Sequence, residues 1–123
     1  MNEPIYAYDE VSDTLAITIV PGEKATGIEL TDHIILHINK VERRLVRITL
    51  LDYSLLVRQT EYGPCTFPLT GLNASSAEIR DLVLDLLRDT PGKDILRIAA
   101  YTSDDGHIVP IVFVQPVFAQ AAP

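Results

Sequence analysis

The chain carries 17 acidic and 10 basic residues among 123. Its formal net charge of −7 argues against a nucleic-acid binder, because phosphate contacts need a basic face. Its 47% hydrophobic content excludes disorder over the whole chain, and its length fits a single domain, residues 1–123. The single cysteine fits a reducing compartment. No apolar run approaches the length of a membrane span, about 18 residues, and the acidic N-terminal sequence is unlike a signal peptide. We therefore expect a cytoplasmic protein that binds neither nucleic acid nor membrane.

The first predicted elements form a β-hairpin. Residues 5–8 are typical of a short strand, and residues 14–20 alternate, with Leu15, Ile17 and Ile19 on one side. An extended chain places every second side chain on the same face. The short polar turn between these two runs predicts that they pair.

Three more strands are predicted over residues 27–30, 33–39 and 44–51. Their apolar residues fall on every second position, which predicts one apolar face. The residues predicted to line it are Ile28, Leu30, Ile34, Leu36, Ile38, Val46, Ile48 and Leu50. Because short connections join all five strands, we expect an antiparallel meander.

Two segments of this sheet carry a family resemblance. They are Tyr8-Asp9-Glu10 with Asp13, Leu15 and Ile17, and Leu45-Val46-Arg47-Ile48 followed by Leu50-Leu51-Asp52-Tyr53-Ser54. Over about residues 4–56 the chain resembles a family of small bacterial proteins catalogued as domain of unknown function 2283. It differs where Arg47 replaces a glycine, where Thr49 replaces a glutamate, and where residues 40–44 lack the usual hairpin glycine. The resemblance implies the sheet and supplies no activity.

Residues 57–123 extend the chain beyond this resemblance. Asp52 is predicted to cap a short helical turn over residues 53–57, and the Gly63-Pro64 and Phe67-Pro68 pairs predict extended chain. A structureless connection of this length is uncommon inside a domain.

One main helix is predicted over residues 75–89. Ser75 and Glu78 have the spacing of a capping box, and Pro91-Gly92 ends the helix. Its apolar stripe is Ile79, Leu82, Val83, Leu86 and Leu87. We expect this stripe to cover the apolar side of the sheet.

A second hairpin, residues 95–115, is predicted to follow the helix. Its last strand, from His107 to Gln115, is apolar on both sides, and Pro110 predicts an edge or a bulge. An exposed apolar edge favours aggregation unless something covers it. We therefore expect this strand in a homodimer interface or under the tail, residues 116–123. The elements together predict an α+β class: an antiparallel sheet, one main helix and a C-terminal hairpin.

The three histidines are the candidate groups for chemistry. His33 and His37 share one side of a strand, but four residues span about 13 Å there, so both cannot bind one ion. A site would need His107 together with Asp32 or Asp104. Such a convergence defines the alternative function, a small metal-assisted hydrolase or ligand-binding protein. Without it we expect no metal and no cofactor, since no glycine-rich phosphate loop or cysteine pair occurs.

Two further motifs are interpreted as structural. Cys65 has only Arg58 as a basic neighbour in sequence, so we interpret it as a half-buried side chain rather than a nucleophile. Asp104-Asp105-Gly106 lacks the remaining ligands of a calcium loop and is interpreted as a hairpin turn.

Charged residues supply the candidates for partner or ion contact. Asp81, Asp85 and Asp89 stack along one side of the predicted helix, where like charges repel. Arg43, Arg44 and Arg47 form a basic cluster in the predicted sheet. The acidic row could be a solvated face, could pair with this cluster within the chain or across a dimer, or could bind a basic protein or divalent ion.

These observations favour a non-catalytic, cytoplasmic, homo-oligomeric protein-interaction module. One version of this hypothesis makes the chain an acidic partner of a basic protein, in keeping with its net charge. The absence of a catalytic motif argues only weakly against an enzyme, because catalytic groups can converge from distant positions.

Overall fold

The computed structural model describes residues 3–115, in which a five-stranded antiparallel sheet shares one core with a layer of helix and strand. The five strands are β1 Ile5–Asp9, β2 Thr14–Thr18, β3 Thr26–Thr31, β4 Ile34–Asn39 and β5 Arg44–Leu50. With one main helix and a separate C-terminal strand pair, this architecture confirms the predicted α+β class.

The five strands lie in the order β1-β2-β5-β4-β3. The first hairpin joins the sheet through β5, where Leu15 lies opposite Leu50 and Ile17 opposite Ile48. A continuous meander would place β2 beside β3, so the observed order differs from the expected one at this connection. Alternation predicts the face that a side chain occupies and carries no information about which strand is the neighbour.

One face of this sheet is buried, as the alternation predicted. The side chains without exposed surface are Leu15, Ile17, Leu30, Ile34, Leu36, Ile38, Ile48 and Leu50. Ile28, nearer the start of the edge strand β3, is only partly buried. Each fully buried side chain of this kind contributes roughly 1.5–3 kcal/mol, so this face anchors the fold.

A β-bulge in β5 corrects one predicted core position. The pairing register shifts after His37 and Arg47, and Ile38 then lies opposite Leu45. Val46 is the extra residue of the bulge, and it is buried outside the main core cluster. Leu45 therefore takes the core place that the alternation predicted for Val46.

The chain between β5 and the main helix folds in short pieces. They are α1 Tyr53–Leu56, β6 Gln59–Thr60, β7 Gly63–Pro64, β8 Phe67–Pro68 and a 3₁₀ helix over Thr70–Ala74. The predicted helical turn and the two extended proline pairs are therefore confirmed. Asp52 precedes α1, but its side chain does not cap the helix and lies 3.0 Å from Nδ1 of His33 instead.

The main helix, α2 Ala77–Arg88, begins one residue later than the capping box predicted. Ser76 is the N-cap, and its hydroxyl oxygen accepts a 3.2 Å hydrogen bond from the amide of Ile79. Ser75 ends the 3₁₀ helix, and its carbonyl accepts a hydrogen bond from the Arg80 guanidinium. The buried side chains of α2 are Leu82, Val83 and Leu87, with Ile79, Leu84 and Leu86 packed partly against the core.

A one-turn helix, α3 Gly92–Ile95, leads into the C-terminal hairpin of β9 Leu96–Thr102 and β10 Ile108–Val114. The second sheet has the order β8-β10-β9. Where β10 pairs with β8 it lies between two strands, so the prediction of an edge strand is wrong there. Proline has no amide hydrogen to donate. At Pro110 this donor would face the side on which β8 ends, so its absence is tolerated. On the same side, the Pro110 carbonyl accepts a hydrogen bond from the Leu69 amide.

The tail that could cover this hairpin, residues 116–123, lies outside the described residues. Within residues 3–115, no helix is both long enough and apolar enough to cross a membrane.

Candidate functional site

The C-terminal half of α2 is bordered by three open grooves. The first, of about 410 Å³, is called here the β9 groove and is lined by Leu84, Leu87, Arg88, Lys93, Leu96, Arg97 and Ile98. A second, of about 380 Å³, is lined by Arg43, Leu82, Asp85, Leu86, Arg88 and Asp89. A third, of about 280 Å³, shares Arg43, Leu86 and Asp89 with the second. The helix half with its three grooves is called the α2 surface.

Ion pairs on the α2 surface join part of the acidic row to part of the basic cluster. Asp85 lies 3.8 Å from Nη2 of Arg43 and 3.6 Å from Nη1 of Arg88. More than half of each of these side chains is exposed, so each pair contributes at most about 1 kcal/mol. Asp81 and Asp89 are exposed and form no ion pair with another described residue.

Arg44 belongs to a different contact, which the sequence did not predict. Its guanidinium pairs with the Glu23 carboxylate through two nitrogens, and the Asn39 amide donates to the same carboxylate at 3.0 Å. These donors lower the pKa of Glu23, and the carboxylate raises the pKa of Arg44. The Arg44–Glu23 pair joins the loop after β2 to the start of β5, and the Asn39 bond adds the end of β4. Because 21 residues separate the partners, no local pattern signals it.

Arg47 and His37 lie opposite each other in the sheet, on the face away from the core. A ring nitrogen of His37, Nε2, lies 3.1 Å from the Thr49 hydroxyl oxygen. Burial, and then the charge of Arg47, lower the pKa of His37 below its ordinary value of 6.5. Thr49 is thus a hydrogen-bond partner of His37.

The three histidines have different neighbours. His33 contacts Asp52 and lies edge-on to Phe67, with ring centres 6.1 Å apart. His107 sits in the β9–β10 turn, where Nδ1 is 2.7 Å from a carboxylate oxygen of Asp105. Residues 3–115 contain no group of three or more His, Cys, Asp or Glu side chains placed to hold a metal ion. Neither Asp32 nor Asp104 supplies the contact that the metal-assisted alternative required.

The β9–β10 turn is closed by its own side chains. Asp105 accepts hydrogen bonds from the hydroxyl of Ser103 and the amide of His107, and these bonds hold the pKa of Asp105 below its usual range. Cys65 is half-buried, and its amide donates to the Arg58 carbonyl. Asp104-Asp105-Gly106 therefore lies in a hairpin turn, as predicted, and Cys65 has the predicted half-buried position.

Four of the residues on which the predicted family resemblance rests meet at one point. The carboxylate of Asp13 accepts a 2.6 Å hydrogen bond from the Tyr8 hydroxyl and further bonds from the amide and hydroxyl of Ser54. Tyr8 also packs edge-on against Tyr53, with ring centres 5.9 Å apart. Asp13 has a positive φ of 53°, which aspartate tolerates better than most residues. These hydrogen bonds connect the turn between β1 and β2 to the start of α1.

Comparison with protein families, with curated proteins and with solved structures finds no match for this chain. The resemblance over residues 4–56 therefore stays a prediction. The surface of the molecule is the available guide to its function.

Proposed function

We propose that this protein is a non-catalytic protein-interaction module that acts through the α2 surface. The observation that supports it is the placement of grooves on both sides of one helix half. Each groove is lined by leucine side chains together with charged ones. Protein interfaces likewise combine apolar contacts with polar and charged groups.

Photo-crosslinking tests this proposal. A photo-reactive residue in place of Asp85, which lies between the grooves on the exposed side of α2, should give discrete protein adducts in cells of the native host. The same residue in place of Val11, which is 99% exposed in the first hairpin turn, is the control and should give none. Equal adduct patterns at both positions, or none at Asp85, would contradict the proposal.

We further propose that the module is homo-oligomeric and cytoplasmic. Its C-terminal hairpin supports self-association, because large apolar side chains are exposed on both of its faces at the far end, Tyr101 at 56% and Ile108 at 70%. Exposed apolar side chains of this size favour an interface. Light scattering coupled to size exclusion should give twice the chain mass, and Ile108→Asp should reduce it to one chain. Val41→Asp, at the 90% exposed tip of β4–β5, should leave it unchanged.

A second candidate is an acidic partner of a basic protein, with contacts through Asp81 and Asp89. Both side chains are exposed and form no ion pair within residues 3–115, and the net charge of −7 favours basic partners. Pull-down from host extract at low and high salt tests it. Asp81→Asn with Asp89→Asn should release the partner, and Glu61→Gln, an exposed acid outside the α2 surface, should retain it.

A further inference from the structure

We infer that an extended acidic peptide segment of a partner protein adds to the free edge of β9 and places its carboxylates in the β9 groove. This inference rests on the proposed function and names the kind of partner that the α2 surface receives. Adding a strand to an exposed sheet edge is an established mode of peptide recognition, in which backbone hydrogen bonds supply affinity and side-chain pockets supply specificity.

Among the described residues, one edge of β9 is left unpaired by the hydrogen-bond register. Gln115 donates to the carbonyl of Ile95, and Ser103 donates to that of His107, so every second residue of β9 bonds to β10. The residues between them, Ile98, Ala100 and Thr102, direct their amides and carbonyls away from β10. No other described strand pairs with β9 on that side. Three residues therefore present backbone groups that a further strand can bind.

The two edges of this sheet differ in their protection. The β8 side carries Pro68 and Pro110, neither of which can donate to an added strand. β9 has the sequence LRIAAYT, with no proline and with one charged residue, Arg97. Native proteins usually block an open edge with proline, charge or a covering segment, so this exposed edge favours a strand partner.

The β9 groove lies at the start of this edge. Side chains of Leu96 and Ile98 point to the core face of β9 and that of Arg97 points to the opposite face, because neighbours in a strand alternate. A groove lined by all three residues must therefore run along the edge of the strand. Its volume of about 410 Å³ lies within the range of ligand pockets, roughly 300–1,000 Å³.

Charge in the β9 groove determines the kind of occupant. Its charged lining residues are Arg88, Lys93 and Arg97, all cations, although the chain as a whole is acidic. Lys93 and Arg97 are exposed and form no ion pair with another described residue. The lining favours carboxylates on the incoming strand, with apolar residues between them facing Leu84 and Ile98. A second copy bound through β9 would bring two sets of these cations together, which disfavours self-pairing.

Fluorescence anisotropy tests the inference directly. The probe is a labelled ten-residue peptide of alternating glutamate and valine, and its control has glutamine in place of glutamate. We expect the glutamate peptide to bind at low salt, at least about tenfold tighter than the control, and to lose this advantage at high salt. Equal binding of the two peptides, or no binding of either, overturns the inference.

Two variants separate the roles of charge and edge. Lys93→Gln with Arg97→Gln should weaken binding by about tenfold, whereas Lys24→Gln with Lys40→Gln makes the same charge change at exposed lysines elsewhere and should not. Ala100→Pro removes an amide that does not bond to β10, so it should abolish binding while thermal unfolding shows a folded protein. Unchanged affinity in either variant contradicts the inference.

The failure of this inference can be told from failure of the proposed function. If neither peptide binds while crosslinks at Asp85 persist, the inference is wrong and the interaction module remains. If the crosslinks are also absent, both are wrong. If a photo-reactive residue in place of Ala100 in β9 instead joins one copy to another, the occupant is a second copy, and the inference of an acidic peptide is overturned.

Discussion

Asp13 and Ser54, 41 residues apart, are joined by hydrogen bonds from the amide and the hydroxyl of Ser54 to the Asp13 carboxylate. The contact links the turn of the first hairpin to α1, which follows the last strand of the same sheet. It bridges the ends of the two strands, β2 and β5, whose pairing sets the strand order. These hydrogen bonds therefore stabilise the junction between the first hairpin and α1.

Asp13→Asn should lower the melting temperature by a few degrees near neutral pH. Hydrogen bonds, that from Tyr8 first, hold the pKa of Asp13 below its ordinary value of 3.8. A depressed carboxyl pKa contributes stability above the unfolded value and loses it as pH falls through the folded one. The difference in melting temperature between wild type and Asp13→Asn should therefore disappear as the pH falls below 3.8. Glu10→Gln removes a charge from the same turn and is the control, so its melting temperature should stay close to that of wild type. A pH-dependent difference in Glu10→Gln like that of Asp13→Asn would contradict this explanation.

Gly71→Ala should destabilise the protein by at least about 2 kcal/mol in urea unfolding. A Cβ on Gly71 would lie 1.7 Å from the Glu29 carbonyl oxygen, which is backbone and cannot move aside cheaply. Gly27→Ala is the matched control, because its Cβ would meet nothing nearer than 3.8 Å. Similar stabilities of the two variants would show that the 3₁₀ helix does not pack on β3 this closely.

Ser76→Ala should remove about 1 kcal/mol of stability, since the Ser76 hydroxyl caps α2. Ser75→Ala should have a smaller effect, because Ser75 contributes its backbone carbonyl and not its side chain to the neighbouring contact. Chemical unfolding of both variants decides between the observed cap and the capping box that the sequence predicted. A larger loss for Ser75→Ala would favour the latter.

His37 should titrate below 6.5 when its ring is followed by NMR. Arg47→Gln should raise this pKa, and burial should still keep it under the ordinary value, because burial is the larger cause. A neutral imidazole favoured by the fold contributes stability above pH 6.5 that is lost as pH falls. An unchanged His37 titration in Arg47→Gln would exclude the charge of Arg47 as a cause.

Alternation and helical spacing predicted the parts of the fold that local sequence determines. The buried side chains of β2 and β4, and Leu82, Val83 and Leu87 of α2, follow from periodicity alone. Neither the bulge at Val46 nor the β2–β5 pairing is local. Both depend on how distant segments meet, so a single sequence does not reveal them.

The candidate surface was predicted only in part. Asp85 and Arg43 were singled out by charge spacing and do approach each other. The β9 groove was missed, because its cations come from α2, α3 and β9 and form no cluster in sequence. The position of β10 was missed for a related reason: Pro110 restricts one side of a strand, and only the tertiary fold decides which partner ends there.

The β2–β5 junction also bears on how the chain is made. During synthesis the first hairpin leaves the ribosome well before its partner strand, and β3 and β4 emerge between them. The edge of β2 that pairs with β5 stays unpaired until β5 has emerged and Leu50 lies opposite Leu15. The nascent chain is thus open to mispairing at this edge from the emergence of β2 until the emergence of β5.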